Sequence, residues 1–234
     1  MKYLVVTLIF FFTLLPLHAF EATSLQLLYS NSFDGDAFIY DTKDGKKTTL
    51  TVEHFRTYSL GDFFMFVDAT DGTRFDGTTS SVYTEIAPRI SFSKLLGKDF
   101  STDIVQDVYI ATQVNLGDDY RAYLYGLGID LNLPFFQLFS VNIYNKTENI
   151  TNDDTYQVTT VYKSQELYGF HATGFIDMTK RDFSTQNQIL FNLDTLLNLK
   201  EKIFLGIEWL YYDYNAKGTS SKTSAIQAMI KYNF

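Results

Sequence analysis

The 234-residue chain has no cysteine, one tryptophan and three histidines, and its 27 acidic residues outnumber its 19 basic ones. Without cysteine there is no disulfide framework and no thiolate metal site, so an exported domain needs another staple. A closed ring of strands is one. The net charge of −8 and a pI near 4.8 argue against nucleic acid and anionic lipid surfaces as partners. Beyond Phe20 no run of 18 apolar residues occurs, so no membrane-spanning helix is expected there. Past residue 19 only His54 and His171 remain. Neither sits in a pattern that supplies a nucleophile, a base and an orienting group, and no histidine cluster offers a metal site. No catalytic residue, metal or cofactor is therefore expected.

Aromatics are what the chain has in quantity: 17 Tyr and 22 Phe, at a near-neutral mean hydropathy of −0.07. A large soluble core and a barrel with an aromatic band both fit those figures, so pattern has to decide. The first 19 residues, MKYLVVTLIFFFTLLPLHA, place Lys2 before an apolar stretch from Tyr3 to Leu15, then Pro16 and Ala19. That is the layout of a secretory signal peptide, with cleavage expected after Ala19. Residues 20–234 carry no interdomain linker and read as one domain.

Within that domain period-2 stretches recur. They predict about twelve strands, near 24–32, 49–58, 61–69, 82–92, 103–114, 122–131, 136–145, 154–164, 167–177, 184–195, 202–214 and 223–234. Polar stretches at 33–48, 70–81, 115–121, 146–153, 178–183 and 215–222 alternate with tighter links such as Ser59-Leu60 and Gln165-Glu166. Long loops on one side and short turns on the other suit an outer-membrane barrel. The links at 93–102 and 196–201 are longer than ideal turns. An even strand count returns both termini to the periplasm.

The two faces differ in kind. Ile203, Leu205, Ile207, Trp209 and Tyr211 oppose Gly206, Glu208 and Tyr212; Ile226, Ala228, Ile230, Tyr232 and Phe234 oppose Gln227, Lys231 and Asn233. A lysine or arginine on the lipid face near the midplane costs about 2–4 kcal/mol. Several such errors would cancel the whole stability of a domain, about 5–15 kcal/mol. In a membrane, then, the charged face looks inward. A soluble lipocalin-like barrel has the same alternation with the faces exchanged. The export signal and the Tyr-x-Phe ending favour the bilayer, and Tyr232 and Phe234 resemble the C-terminal signal by which bacterial outer-membrane barrels meet their assembly machinery. The expected fold is an all-β, closed antiparallel transmembrane barrel in the bacterial outer membrane.

Three segments carry a family resemblance. YTEIAPRISFSKLLGKDFS (Tyr83 to Ser101) resembles the E-x-x-P-R-x-S segment of the nucleoside-specific, Tsx-like outer-membrane channels. LYGLGIDLNLPFFQLFSVNIY (Leu124 to Tyr144) resembles their glycine-rich strand and Leu-Pro turn, and EHFRTYSLGDFFMFVDA (Glu53 to Ala69) is similar to a strand–turn–strand of the same set. The resemblance implies a monomeric twelve-stranded barrel that passes nucleosides and deoxynucleosides by diffusion. The last third lacks the family's Trp-rich strands.

A selective site for such solutes wants aromatic faces for the base and acceptors for the ribose hydroxyls, with stacking worth about 1–3 kcal/mol per base. GDFFMFVD places Asp62, Phe64, Phe66 and Asp68 on one face, leaving Phe63, Met65 and Val67 for lipid. The two phenylalanines serve equally as a stacking wall or as filling for a narrow interior. Glu85 and Arg89, about 13 Å apart along one strand, are expected to pair across to neighbours such as Asp107, Asp68 and Asp130. A structural charge ladder is weighed there above a substrate contact. Asp130, Glu208 and Lys231 complete the candidate lumen set, while adjacent Glu53 and His54 cannot share a face without a bulge. The rival readings are a structural or adhesive barrel and, less favoured, a lipid-modifying enzyme.

Overall fold

The computed structural model describes residues 20–35, 42, 44–72, 77–150, 154–197, 202–216 and 219–234. The expected signal peptide lies outside them. The elements in order are β1 (Glu21–Ser30), a two-residue β2 (Asp34–Gly35), β3 (Lys47–Tyr58), β4 (Gly61–Asp71), β5 (Ser80–Ser91) and a helical turn α1 (Phe92–Leu96). Then come β6 (Val105–Leu116), β7 (Arg121–Leu131), β8 (Phe136–Glu148), β9 (Asp154–Ser164), β10 (Phe170–Met178) and β11 (Asp182–Asn192). A turn α2 (Asp194–Leu197), β12 (Lys202–Ala216) and β13 (Thr219–Asn233) complete the chain.

Each long strand pairs antiparallel with its sequence neighbours, and β1 pairs with β13, from Ser24↔Asn233 to Tyr29↔Ala228. That last seam closes twelve strands into a ring with no free edge, the arrangement that lets backbone polar groups cross hydrocarbon fully satisfied. All twelve expected strands are present, within a few residues of the expected bounds. No helix among the described residues is long and apolar enough to cross a membrane.

Side-chain direction separates a membrane barrel from a soluble one. On β12 and β13, Ile207 and Ile230 are 46% and 43% exposed on the outer wall, whereas Glu208 and Gln227 are 4% and 3% exposed inside. Leu27, Leu50, Leu127 and Ile143 share the outer wall. Exposed aromatics collect toward both rims, with Tyr29, Tyr123, Tyr125 and Tyr156 at one and Phe135, Phe170 and Phe234 at the other. An apolar band between two aromatic girdles is what a bilayer selects.

Two expectations need correction. The loops are less asymmetric than the polar stretches suggested, because β12 and β13 continue as a hairpin as far as Ala216↔Thr219, and 179–181 and 117–120 are short links. The register of the two strands carries the pairing on through Asp213↔Lys222 and Asn215↔Ser220, into residues read as loop. The long 93–102 connection begins instead with α1, capped by the Ser91 hydroxyl, which accepts from the Lys94 N–H, and ended by Gly97 at φ 62°. The interior is also not uniformly polar. Inward Leu28, Leu190, Phe204 and Met229 form one buried apolar cluster; Ala111, Ala122, Leu124 and Tyr144 form another. From the connection after β1, Phe33 folds inward onto Leu210 and Ala225. A narrow barrel fills part of its inside with side chains, so inward positions tolerate apolar residues better than the lipid face tolerates charge.

Candidate functional site: the barrel lumen

Strand β4 delivers the first part of the site. Cα register pairs Thr51 with Asp68, Glu53 with Phe66, Phe55 with Phe64 and Thr57 with Asp62 across β3 and β4, so all eight share the inner face. Phe63, Met65 and Val67 take the outer face, as expected from the alternation. The Phe64 and Phe66 rings lie 6.2 Å apart, and Phe66 lies 5.9 Å from Tyr83 on β5. Tyr83 in turn stacks on Tyr120 at 6.4 Å with 24° between planes. Four rings thus form a ladder along one wall, climbing from the middle of β4 to the rim away from the termini. Tyr83 shares the strand phase of Glu85 and Arg89, so alternation sends it inward. Tyr120 carries no such signal, because it sits in the 117–120 link, where no periodicity assigns a direction. Burial, with the Glu148 carboxylate next in weight, pushes the Tyr120 phenol up, so it stays a neutral donor. It donates to Glu148 Oε2 at 3.4 Å.

Beside the ladder stand acceptors held by neutral donors. The Tyr83 hydroxyl donates to Glu85 Oε1 at 2.6 Å, and the Gln113 and Asn115 amides donate to the same carboxylate at 2.8 and 3.0 Å. Thr51 donates to Asp68 at 2.5 Å and Thr159 to Asp177 at 2.5 Å. Across the lumen, Glu208 accepts from Gln188 at 2.8 Å and from Gln227 at 3.0 Å.

Arg89 behaves differently. Its Nε and Nη2 donate to Asp62 at 2.9 and 2.7 Å, and its two terminal nitrogens to Asp130 at 2.8 and 3.0 Å. Nη1 also donates to Ser140 at 3.2 Å, and the guanidinium lies 4.1 Å from the centre of the Tyr109 ring. Two bidentate forks consume the donors that would otherwise hold a solute, which favours a tie between β4, β5 and β7. Of the expected partners only Asp130 contacts Arg89. Asp107 instead accepts from Ser91 and Ser93, which anchor the start of α1.

Lys231 pairs with Glu53 at 3.1 Å, and the Gln26 amide donates to the other Glu53 oxygen. This settles the Glu53-His54 puzzle without a bulge. Glu53 points in, and His54 points out near the terminal rim, where its Nδ1 lies 2.9 Å from the Thr23 hydroxyl. His171 packs edge-on against Phe204 at 5.2 Å on the inner wall. At the mouth, Glu148 is shared by Lys146 and Arg181 at 3.5 and 3.2 Å, and Lys146 also reaches Asp182 at 3.9 Å. Tyr232 and Phe234 lie edge to face at 5.0 Å on the terminal rim, with the Phe234 N–H donating to the Thr23 carbonyl.

Comparison with known proteins agrees with this architecture. A relative from Vibrio parahaemolyticus, the outer membrane protein OmpK, is 26% identical over 189 residues, covering 70% of this chain and 72% of its own. Among solved structures, the KdgM porin in complex with disordered oligogalacturonate covers 91% of this chain and 99% of itself at a TM-score of 0.51 and 11% identity. The NanC porin covers 90% and 98% at a TM-score of 0.51 and 10% identity. At those identities the two porins share the fold and nothing finer. The family model described as nucleoside-specific channel-forming protein, Tsx, matches residues 26–234. This chain belongs to that family, and it is an outer-membrane β-barrel channel.

Proposed function

We propose that the lumen passes nucleosides and deoxynucleosides, with the ring ladder on β4 and β5 as a stacking track and the flanking carboxylates as acceptors for sugar hydroxyls. The observation that carries this reading is the continuity of Phe64, Phe66, Tyr83 and Tyr120 beside Asp68 and Glu85. A flat base slides from ring to ring, each contact worth about 1–3 kcal/mol, while its ribose donates to the neighbouring acceptors. Contacts of that size select a solute and still release it, as conduction requires. Asp62, Arg89 and Asp130 hold the wall behind the track, Lys231 meets Glu53 beside Phe66, and Glu208 lines β12.

The oligogalacturonate bound by one neighbouring porin is a polyanion. A lumen that presents Asp68, Glu85, Asp177 and Glu208 without ion-pair partners among the described residues suits neutral hydroxylated solutes better. The termini face the periplasm in this reading, the barrel works as a monomer, and Tyr232 and Phe234 engage the assembly machinery. The test is liposome swelling with nucleosides against sugars and amino acids of equal size. Faster swelling with nucleosides is expected, and equal rates across the three classes would leave a general porin.

A further inference from the structure

Resting on the channel reading, we infer that the lumen is cation-selective, with a negative belt at its waist that admits cations and neutral solutes and turns back anions. Charges inside the barrel divide into those answered by an ion-pair partner and those that are not. Arg89 is held by Asp62 and Asp130, Lys231 by Glu53, and Lys146 and Arg181 by Glu148. Asp68, Glu85, Asp177 and Glu208, one each from β4, β5, β10 and β12, have no ion-pair partner among the described residues, and neither has Asp107 on β6, which Ser91 and Ser93 hold. The hydrogen bonds of the first four come from threonine, tyrosine, glutamine and asparagine, which orient a carboxylate without cancelling its charge. Glu85 lies within electrostatic range of Asp177 and Asp68, and Glu208 within range of Asp68 and Glu53, so the four sectors act on one space; Lys146 reaches Glu85 and Asp177, and Lys47 reaches Asp68, without forming an ion pair with any of them. One inward lysine on β9, Lys163, stands without such a partner against them.

A second observation points the same way. Gln227, 3% exposed, spends its amide N–H on Glu208, and its Oε1 has no hydrogen-bond partner among the described residues. Asn142 Oδ1, on the inner wall of β8, is in the same condition. Each is a buried acceptor awaiting a donor, so the unspent valences of the interior suit ammonium groups, hydrated alkali ions and hydroxyls. The inward hydroxyls of Ser221 and Thr223 on β13 are likewise unpartnered among the described residues, and as neutral groups they serve a solute of either sign. Among the described residues no cluster is tight enough to cage a metal, so the belt acts through its field. Rings of Asp and Glu confer cation preference, and low-dielectric walls focus their field on the axis.

The test is the reversal potential of the purified full-length barrel in a planar bilayer under a potassium chloride gradient. We expect potassium to be favoured over chloride by about tenfold. The Glu85→Gln/Glu208→Gln double variant, and separately Asp68→Asn on another wall, should move the ratio toward unity; heat-dependent gel mobility confirms that each is folded. A wild-type ratio at or below unity overturns the inference while leaving the channel intact. A ratio unmoved in every folded variant removes these carboxylates as its source and overturns it too. Absence of any conductance sinks the channel reading itself.

Discussion

At the scale of single residues the interior divides into side chains that hold the wall and side chains that face the solute. Arg89 belongs to the first kind. Replacing it with Gln leaves Asp62 and Asp130, 5% and 6% exposed, facing each other without a cation. Breaking a buried pair in this way costs about 3–5 kcal/mol. The folded barrel of this variant should therefore melt at lower temperature by gel mobility in detergent, with assembled molecules keeping their nucleoside block. Phe64 and Phe66 belong to the second kind. The Phe64→Ala/Phe66→Ala double variant should assemble normally, yet nucleosides should block its single-channel current at least about tenfold more weakly, as the loss of two stacking contacts requires. Unchanged block would move the track to another wall.

At the scale of elements, backbones come close where glycine allows it. A Cβ built on Gly126 of β7 would lie 1.9 Å from the carbonyl oxygen of Ile143 on β8, and backbone cannot step aside as a side-chain tip can. Gly126→Ala should destabilise the barrel by about 1–3 kcal/mol, read as a lower urea midpoint in detergent, with no change in ion preference. The strands themselves were legible because a one-residue slip would turn every Ile and Glu to the wrong solvent, so the pattern is strongly constrained. What was not legible is what periodicity does not encode. The extension of β12 and β13 runs through Asn215, Ser220 and Lys222, which read as loop. The turn α1 depends on a serine cap and Gly97 in a stretch too short to show helical spacing. Phe33 and Tyr120 reach the interior from links, where direction is set by the packed partner alone. In the site, inward and outward were readable from phase. Who pairs with whom was not, since strand tilt shifts partners along the axis.

At the scale of the whole molecule, the ring depends on one seam between the first and last strands. Leu27 and Ile230 stand directly opposite each other across it, both on the outer wall. In a chain without native cysteine, a Leu27→Cys/Ile230→Cys variant should form a single crosslink on oxidation and resist unfolding on gels until reduced. Failure to crosslink in the assembled protein would mean that the seam has another register. The division of labour around the ring has a further consequence, which rests on Tyr83. Its ring continues the ladder while its hydroxyl steadies Glu85. A lineage that exchanges this tyrosine for phenylalanine keeps the footing for a base but loosens the acid beside it. One codon thus ties diet to electrical leak, and neither trait can drift far without dragging the other along.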